Sequence, residues 1–330
     1  MENVINKKRK RRVVDTTFKT VLLVLLTIYT ITIFAVLIWA LISTFKSADN
    51  FENWDPLGFP SLSLVQPSLQ SKYYDALKFG NYLGIFKSLN GLQFKISAYY
   101  NMFGMLVDPS RGSLGILDFF GNTLYIAFVC SLVNVFVIYT ASYCAAKYKF
   151  KFSGFIYFYI IMSMSIPIVG NTPATLKLLM DLNLYSSHLG MLIMRANMNG
   201  MYFLVFYAFF EGLPDSYMEA AEIDGAGQFS IFTKIVIPLG IKMVLTVTLL
   251  LFVQNWNDYS INFIYMPTVP TMSYVLYKLV HDNAFFSQVA DKTVPTKFAA
   301  CFILVAPIII LFIIFKDKMM GNISAGGLKG

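Results

Sequence analysis

Gln254, Asp258 and Asn262 recur every four residues inside the otherwise apolar stretch 241–265. On a continuous helix that spacing puts them on one face, with Asn255 and Asn257 beside them. In the apolar stretch 188–210, Arg195 and Asn199 share a face in the same way, with Asn197 nearby and Gly200 permitting close approach. A third stretch, 154–172, carries Ser163, Ser165 and Asn171 together with Pro167, a residue that kinks helices. Amides and carboxylates with aromatic neighbours such as Tyr259 match solutes rich in hydroxyl groups. Asn255, Asp258, Gln254, Asn199 and Asn197 are therefore candidate solute contacts. The structural alternative is hydrogen bonding between helices, which also draws amides into apolar segments. Arg195, near one end of its stretch, has the further option of reaching for the interface.

The elements that must position these residues are apolar helices. Of 330 residues 57% are hydrophobic and 13% charged, and the mean hydropathy is +0.61. Soluble domains carry about 25% charged residues, so the composition points to a lipid bilayer. The run 21–43 has no charge and reaches roughly 35 Å as a helix, enough to cross the hydrocarbon core. It exceeds the apolar core of a cleaved signal peptide and is read as a retained helix. Five more apolar stretches follow, at 120–146, 154–172, 188–210, 241–265 and 298–315. The expected fold is an all-α integral membrane protein with six transmembrane helices.

The net charge of +8 is located rather than diffuse. Lys7, Lys8, Arg9, Lys10, Arg11 and Arg12 precede the first stretch, and Lys147, Lys149 and Lys151 flank another. Cations at helix ends are topology signals, because Lys and Arg stay cytoplasmic; nucleic acid is excluded as a partner on that ground. Both termini are expected in the cytoplasm, as is the connector 212–238. Cys130, Cys144 and Cys301 each lie within an apolar run, without metal-ligand spacing, and are read as packing residues. The expected organisation is a basic cytoplasmic N-terminus at 1–18, a first transmembrane helix at 19–44, a large extracytoplasmic loop at 45–117, a helical core at 118–320 and a cytoplasmic tail at 321–330. The loop contains Trp54, Phe59, Tyr73, Tyr74, Phe79, Tyr82, Tyr99 and Tyr100, with Leu69, Tyr73, Ala76 and Leu77 at helical spacing. A lid on the membrane domain and a docking surface for an extracytoplasmic partner fit it equally.

The connector is unexpectedly rich for a link between two helices. Ser216 and Glu219 have capping-box spacing, so a short helix is expected to run to Asp224. Gly225 then stands where a left-handed residue ends a helix, and Gly227 loosens the turn. Phe229, Phe232 and Val236 resume an apolar period, and Pro238 opens the next span. Ala220 and Ala221 make a small-residue surface that another protein can approach closely. In the local alternative, Glu219 only caps its helix and the alanines only favour helicity.

Glu219-Ala220-Ala221, three residues, then Gly225, Ile235 and Pro238 resemble the "EAA" loop of binding-protein-dependent ABC transporter permeases. Asn122-Thr123-Leu124, the stretch Ala141-Ser142-Tyr143-Cys144-Ala145-Ala146 before lysines, and Trp256-Asn257-Asp258 resemble further features of that family. The tail Ser324-Ala325-Gly326-Gly327-Leu328-Lys329-Gly330 looks like the C-terminus of the maltose-transporter G subunit, which favours the carbohydrate branch. The first outer loop departs from the pattern by its length. The resemblance implies the type I importer permease fold in a bacterial plasma (inner) membrane, surrounded by lipid. It implies that Glu219, Ala220, Ala221, Asp224, Gly225, Phe232, Ile235 and Pro238 couple the chain to an ATPase. The implied partners are a second permease subunit like the maltose F subunit, two ATPase subunits or domains, and an extracytoplasmic solute-binding protein. ATP and magnesium are then bound by partners and no cofactor by this chain.

The residues agree in what they lack. No Gly-x-x-x-x-Gly-Lys-Ser/Thr phosphate cradle occurs, nor a Gly-x-Ser-x-Gly elbow or a His/Cys cluster, so a non-catalytic subunit is expected. Two rivals stand beside this reading. One is an ABC permease for another solute. The other is an ATP-independent secondary transporter, which predicts inverted repeats and mid-membrane ionisable groups; no convincing repeat is found, and Asp258 is nearly alone as an acid within the spans. If the tail reaches the ATPase interface as in the maltose-type relatives, deleting 321–330 is expected to alter the regulation of ATP hydrolysis, and an unaltered rate contradicts that.

Overall fold

The computed structural model describes residues 2–47, 51, 57, 80–89, 99–100, 106–107, 114–148, 153–166, 170–198, 200–286 and 293–323. Most of the extracytoplasmic loop, Lys149, Lys151, Pro167, Asn199 and the tail 324–330 lie outside the described residues. The helices are α1 (Glu2–Ser43), α2 (Gly80–Leu89), α3 (Ile116–Lys147), α4 (Ser153–Ser165), α5 (Thr172–Asp181) and α6 (His188–Arg195). They continue with α7 (Met201–Glu211), α8 (Ser216–Ile223), α9 (Gln228–Asn257), α10 (Met272–His281), α11 (Asn283–Phe286) and α12 (Val294–Ile323). Among the described residues the one extended pairing is two residues long, Tyr99–Tyr100 antiparallel to Leu106–Val107.

Thr16–Ser43, Ile116–Lys147, Gln228–Asn257 and Val294–Ile314 are long and apolar enough to cross a membrane. Ser153–Ser165 and Met201–Glu211 are shorter apolar helices.

The described residues fall into two compact units. In the one comprising Met1–Lys87 with Val289–Ile303, Trp39 packs against Phe51 and Phe298 with ring centroids 6.2 and 5.7 Å away. The Asn81 side chain donates to the carbonyls of Thr44 and Lys46 at 2.7 and 3.0 Å. It thereby satisfies backbone acceptors of the turn that follows α1.

The second unit comprises Ser88–Gln288 with Leu304–Gly330, and α3 is its spine. Val135, Ile138, Tyr139 and Tyr143 of α3 pack against Phe203, Phe206 and Phe210 of α7 and Ile231, Val236, Val247 and Leu251 of α9. Tyr139 meets Phe206 and Phe210 edge-to-face, at 5.1 and 4.9 Å between centroids, the geometry that aromatic quadrupoles favour. Within a bilayer, lipid tails are as apolar as this core, so packing and hydrogen bonds hold the helices together. The buried polar groups of α3 supply those bonds. Asn122 donates to Pro270 O, Thr123 accepts from Met272 N, Tyr139 donates to Val236 O and Ser142 donates to Phe203 O, all between 2.6 and 3.1 Å.

Several expectations are corrected. The stretch 154–172 is not one helix: α4 ends at Ser165, and Asn171 starts a second, α5, with proline near its first turn. The stretch 188–210 is broken between Arg195 and Met201. The fifth span starts earlier, at Gln228, and stops at Asn257, so Gln254, Asp258 and Asn262 do not form one stripe. Asp258 has an extended backbone (ψ 102°), and Asn262 belongs to a separate π-turn, Ile261–Tyr265, where it donates to Val269 O. The capping box at Ser216 and Glu219 does not form. Asp215 is the N-cap without a side-chain cap, because its carboxylate pairs with Lys147. Of the expected apolar period, Val236 is buried and Phe232 packs against the core, but Phe229 is 81% exposed and Ile231 is buried in its place; the helix widens into a π-turn at Phe232–Val236.

That π-turn has a local cause. Pro238 lacks the N–H that a regular helix requires, and a π-turn is one way to absorb such a defect. Opposite it, Gly240 is buried against the Tyr139 ring, which a Cβ at this position would strike. The Gly240→Ala variant is expected to lose roughly 1–3 kcal/mol by overpacking. Thermal unfolding in detergent checks this, and adding Tyr139→Phe, which removes the clashing oxygen, is expected to restore part of the loss.

Candidate functional site

The expected span 188–210 is interrupted between Arg195 and Met201. α6 ends at Arg195, and the chain turns through Ala196 (ψ 53°) to Gly200, which sits at φ 109° and ψ −178° and caps α7. That backbone region is essentially restricted to glycine. A helix that stops inside a membrane leaves carbonyls without partners, and only protein groups can satisfy them. Arg195 O accepts from Asn197 N at 2.8 Å, and Asn134 of α3 adds to this: its Nδ2 donates to Arg195 O and to Asn197 O, and also approaches Asn197 Oδ1 at 3.3 Å.

The break also aims Arg195 across the unit. Its Nη2 pairs with Asp258 Oδ2, and the two side chains are 19% and 22% exposed. The other carboxylate oxygen, Oδ1, accepts from Ser260 N at 2.9 Å and from Ser260 Oγ, a local turn that starts the next helical segment. Such pairing is how ionisable groups are tolerated within membrane segments. Arg195 Nε is buried and has no hydrogen-bond partner among the described residues.

Between the break and α9 lies a cavity of about 220 Å³ whose polar lining is Asn134, Arg195, Asn197, Tyr202, Gln254 and Asn255. Asn255 donates to Ser131 Oγ at 3.0 Å, and Ser131 donates to Ala127 O. Of the candidate solute contacts, the cavity thus unites Gln254, Asn255 and Asn197. Asp258 is not among its lining residues; it acts on the cavity through Arg195. Asn199 lies outside the described residues. Asn134, Ser131 and Tyr202 were not singled out from sequence. Ser131 and Asn134 stand three apart within an apolar helix, a spacing that also puts two residues on one helix face.

At the far end of α3 lies the connector. The α8 helix closes with a full Schellman motif: Ala226 N donates to Ala221 O at 2.9 Å, and Gly225 N to Glu222 O at 3.0 Å, with Gly225 at φ 79°. Ala221, Phe232 and Ile235 pack onto the aromatic core, whereas Glu219, Ala220, Asp224 and Pro238 are exposed. Tyr217, Ile223 and Phe229 are 51%, 86% and 81% exposed. Both ends of α8 are tied to α3. Lys147 Nζ donates to Leu213 O and pairs with Asp215 at 2.6 Å. On the other side Tyr148 OH donates to Gln228 Oε1, and Gln228 Nε2 donates to Glu222 Oε1, each at 2.7 Å. Lys147, read from sequence only as a topology signal, is thus also a structural clamp.

Interrupted helices beside a polar cavity are a feature that membrane transporters share. Residues 137–319 match the family described as binding-protein-dependent transport system inner membrane component, and this chain belongs to that family. It is a multi-pass protein of the inner (plasma) membrane. A probable ABC transporter permease protein of Pyrococcus horikoshii is 29% identical over 44% of this chain, and the match spans 53% of that relative's length. The arabinooligosaccharides transport system permease protein of Halalkalibacterium halodurans is 26% identical over 64% of this chain and 74% of its own. In fold the chain is similar to a chain of a solved bacterial ABC transporter involved in importing the acidic polysaccharide alginate. The TM-score is 0.66 and the identity 20%, over 92% of this chain and 96% of that one.

Gly200 has open space around it, so its requirement is conformational rather than steric. Gly200→Ala is expected to lower the stability of the detergent-solubilised protein by roughly 1–3 kcal/mol, measured as a fall in thermal midpoint. An unchanged midpoint contradicts the strained break.

Proposed function

We propose that this chain is the permease subunit of an ATP-driven importer that translocates a carbohydrate, in particular an oligosaccharide delivered by an extracytoplasmic solute-binding protein. The observation that carries the reading is the connector: a short helix held rigidly on α3, ended by a left-handed glycine, with Tyr217, Ile223 and Phe229 left exposed. Exposed apolar side chains of this kind suit a protein partner. Glu219, Ala220, Ala221, Asp224, Gly225, Phe232, Ile235 and Pro238 form or support that surface. The partner is an ATPase subunit that binds ATP and magnesium; this chain binds neither. A second permease subunit completes the pathway, and the two shorter apolar helices join the four long ones to make six crossings with both termini in the cytoplasm.

The mechanism follows from the clamp. Closure of an ATPase dimer displaces α8, and the bonds of Lys147 and Tyr148 carry that displacement into α3. Because α3 packs on α7 and α9 and caps the break at Arg195, its movement changes the cavity between them. Alternating access then results from rigid-body motion biased by the contacts α8 makes in each ATPase state. The cavity polar groups Asn197, Gln254 and Asn255 line the solute's route, with Asn134 and Tyr202. The arabinooligosaccharide and alginate systems among its relatives support a carbohydrate cargo.

Gly225→Val places a β-branched residue at positive φ, a strained conformation. In proteoliposomes containing the full complex, ATP hydrolysis is expected to continue while solute uptake falls about tenfold, the equivalent of ~1.4 kcal/mol of lost coupling. Lys147→Met, which releases one end of α8, is expected to act in the same direction. Normal coupled uptake in both variants contradicts the proposed lever.

A further inference from the structure

We propose that the cavity between α3, the break at Ala196–Gly200 and α9 selects uncharged oligosaccharides over anionic ones, because Asp258 cancels the single charge in its lining. The inference rests on the solute route given under Proposed function and narrows its cargo. Of the lining residues Asn134, Arg195, Asn197, Tyr202, Gln254 and Asn255, Arg195 alone is ionised at neutral pH. Its guanidinium is held by Asp258 Oδ2, while Ser260 occupies Oδ1 through both its N–H and its hydroxyl. The pair is therefore neutral as a unit, and beside it the cavity presents amides and a phenol; Arg195 Nε itself is buried without a partner among the described residues.

Hydroxyls both donate and accept, as amides do, so an uncharged sugar exchanges water for protein partners without separating charges. An anionic sugar faces two alternatives, both unfavourable. It enters the cavity unpaired, at the desolvation cost of a lone ion. Or it draws Arg195 away and leaves Asp258 uncompensated in a medium of low dielectric. Family membership does not decide the question, since the relatives' names include an acidic polysaccharide and an arabinooligosaccharide. The ion pair decides it.

The test uses the full chain purified in the complex it forms, with two probes of equal length: an arabinose trisaccharide and a tri-uronate. Equilibrium binding to the wild-type complex is expected to favour the uncharged probe by about tenfold or more. Asp258→Asn leaves the Arg195 charge unopposed, and the preference is expected to shrink or invert. The double variant Arg195→Gln with Asp258→Asn is neutral again and is expected to return towards the wild-type ratio, which separates charge from misfolding. Equal or tighter binding of the tri-uronate by the wild type overturns the proposal. So does a ratio that Asp258→Asn leaves unmoved in an intact complex. Binding of neither probe to the intact wild-type complex removes the cavity from the solute route, and the charge selection falls with it.

Discussion

Hydrocarbon offers no hydrogen-bond partner, so every place where a membrane helix stops or distorts must find its donors and acceptors inside the protein. Much of the second unit follows from how α3 meets that requirement. Asn134 caps the end of α6, Tyr139 reaches the irregular turn before Pro238, and Ser142 bonds to α7. Asn122 and Thr123 hold the segment that leads into α10. One long helix thus carries the polar groups that let its neighbours be irregular. Without them the breaks would be costly, and straight helices would leave no cavity.

The same helix joins the cavity and the connector. Its middle lines the cavity through Asn134, with Ser131 holding Asn255, and its end grips α8 through Lys147 and Tyr148. A displacement of α8 has a direct path to the cavity along a single rigid element. The Arg195–Asp258 pair completes the arrangement by tying the end of α6 to the end of α9. Irregular backbone, buried charge and the polar cavity occur together because each depends on the others for satisfied bonds.

The apolar runs marked the long helices, since a span must be long, apolar and uncharged. Gly225 was legible for a different reason: a glycine directly after a short helical stretch commonly ends it in the left-handed conformation. The interruption between Arg195 and Met201 was missed although Asn199-Gly200 is a turn dipeptide, because the stretch remains apolar overall and reads as one helix. The partner that makes the break tolerable, Asn134, is 61 residues away. The expected stripe Gln254–Asp258–Asn262 failed because periodicity presumes a continuous helix, and Asp258 gains more from Arg195 and Ser260 than from extending α9. Pairing across 63 residues leaves no mark in local spacing. Lys147 shows the converse: its place at a helix end was plain, and its grip on Leu213 and Asp215 was not.

Everything proposed for α8 depends on a separate ATPase seated on it. The direct measurement is to tag this chain in its native cell, extract it gently and identify its companions by mass spectrometry. An ATPase together with a second, different multi-span subunit is the expected result. A chain that emerges alone, or only with copies of itself, contradicts the ATP-driven importer and favours a transporter that works without one.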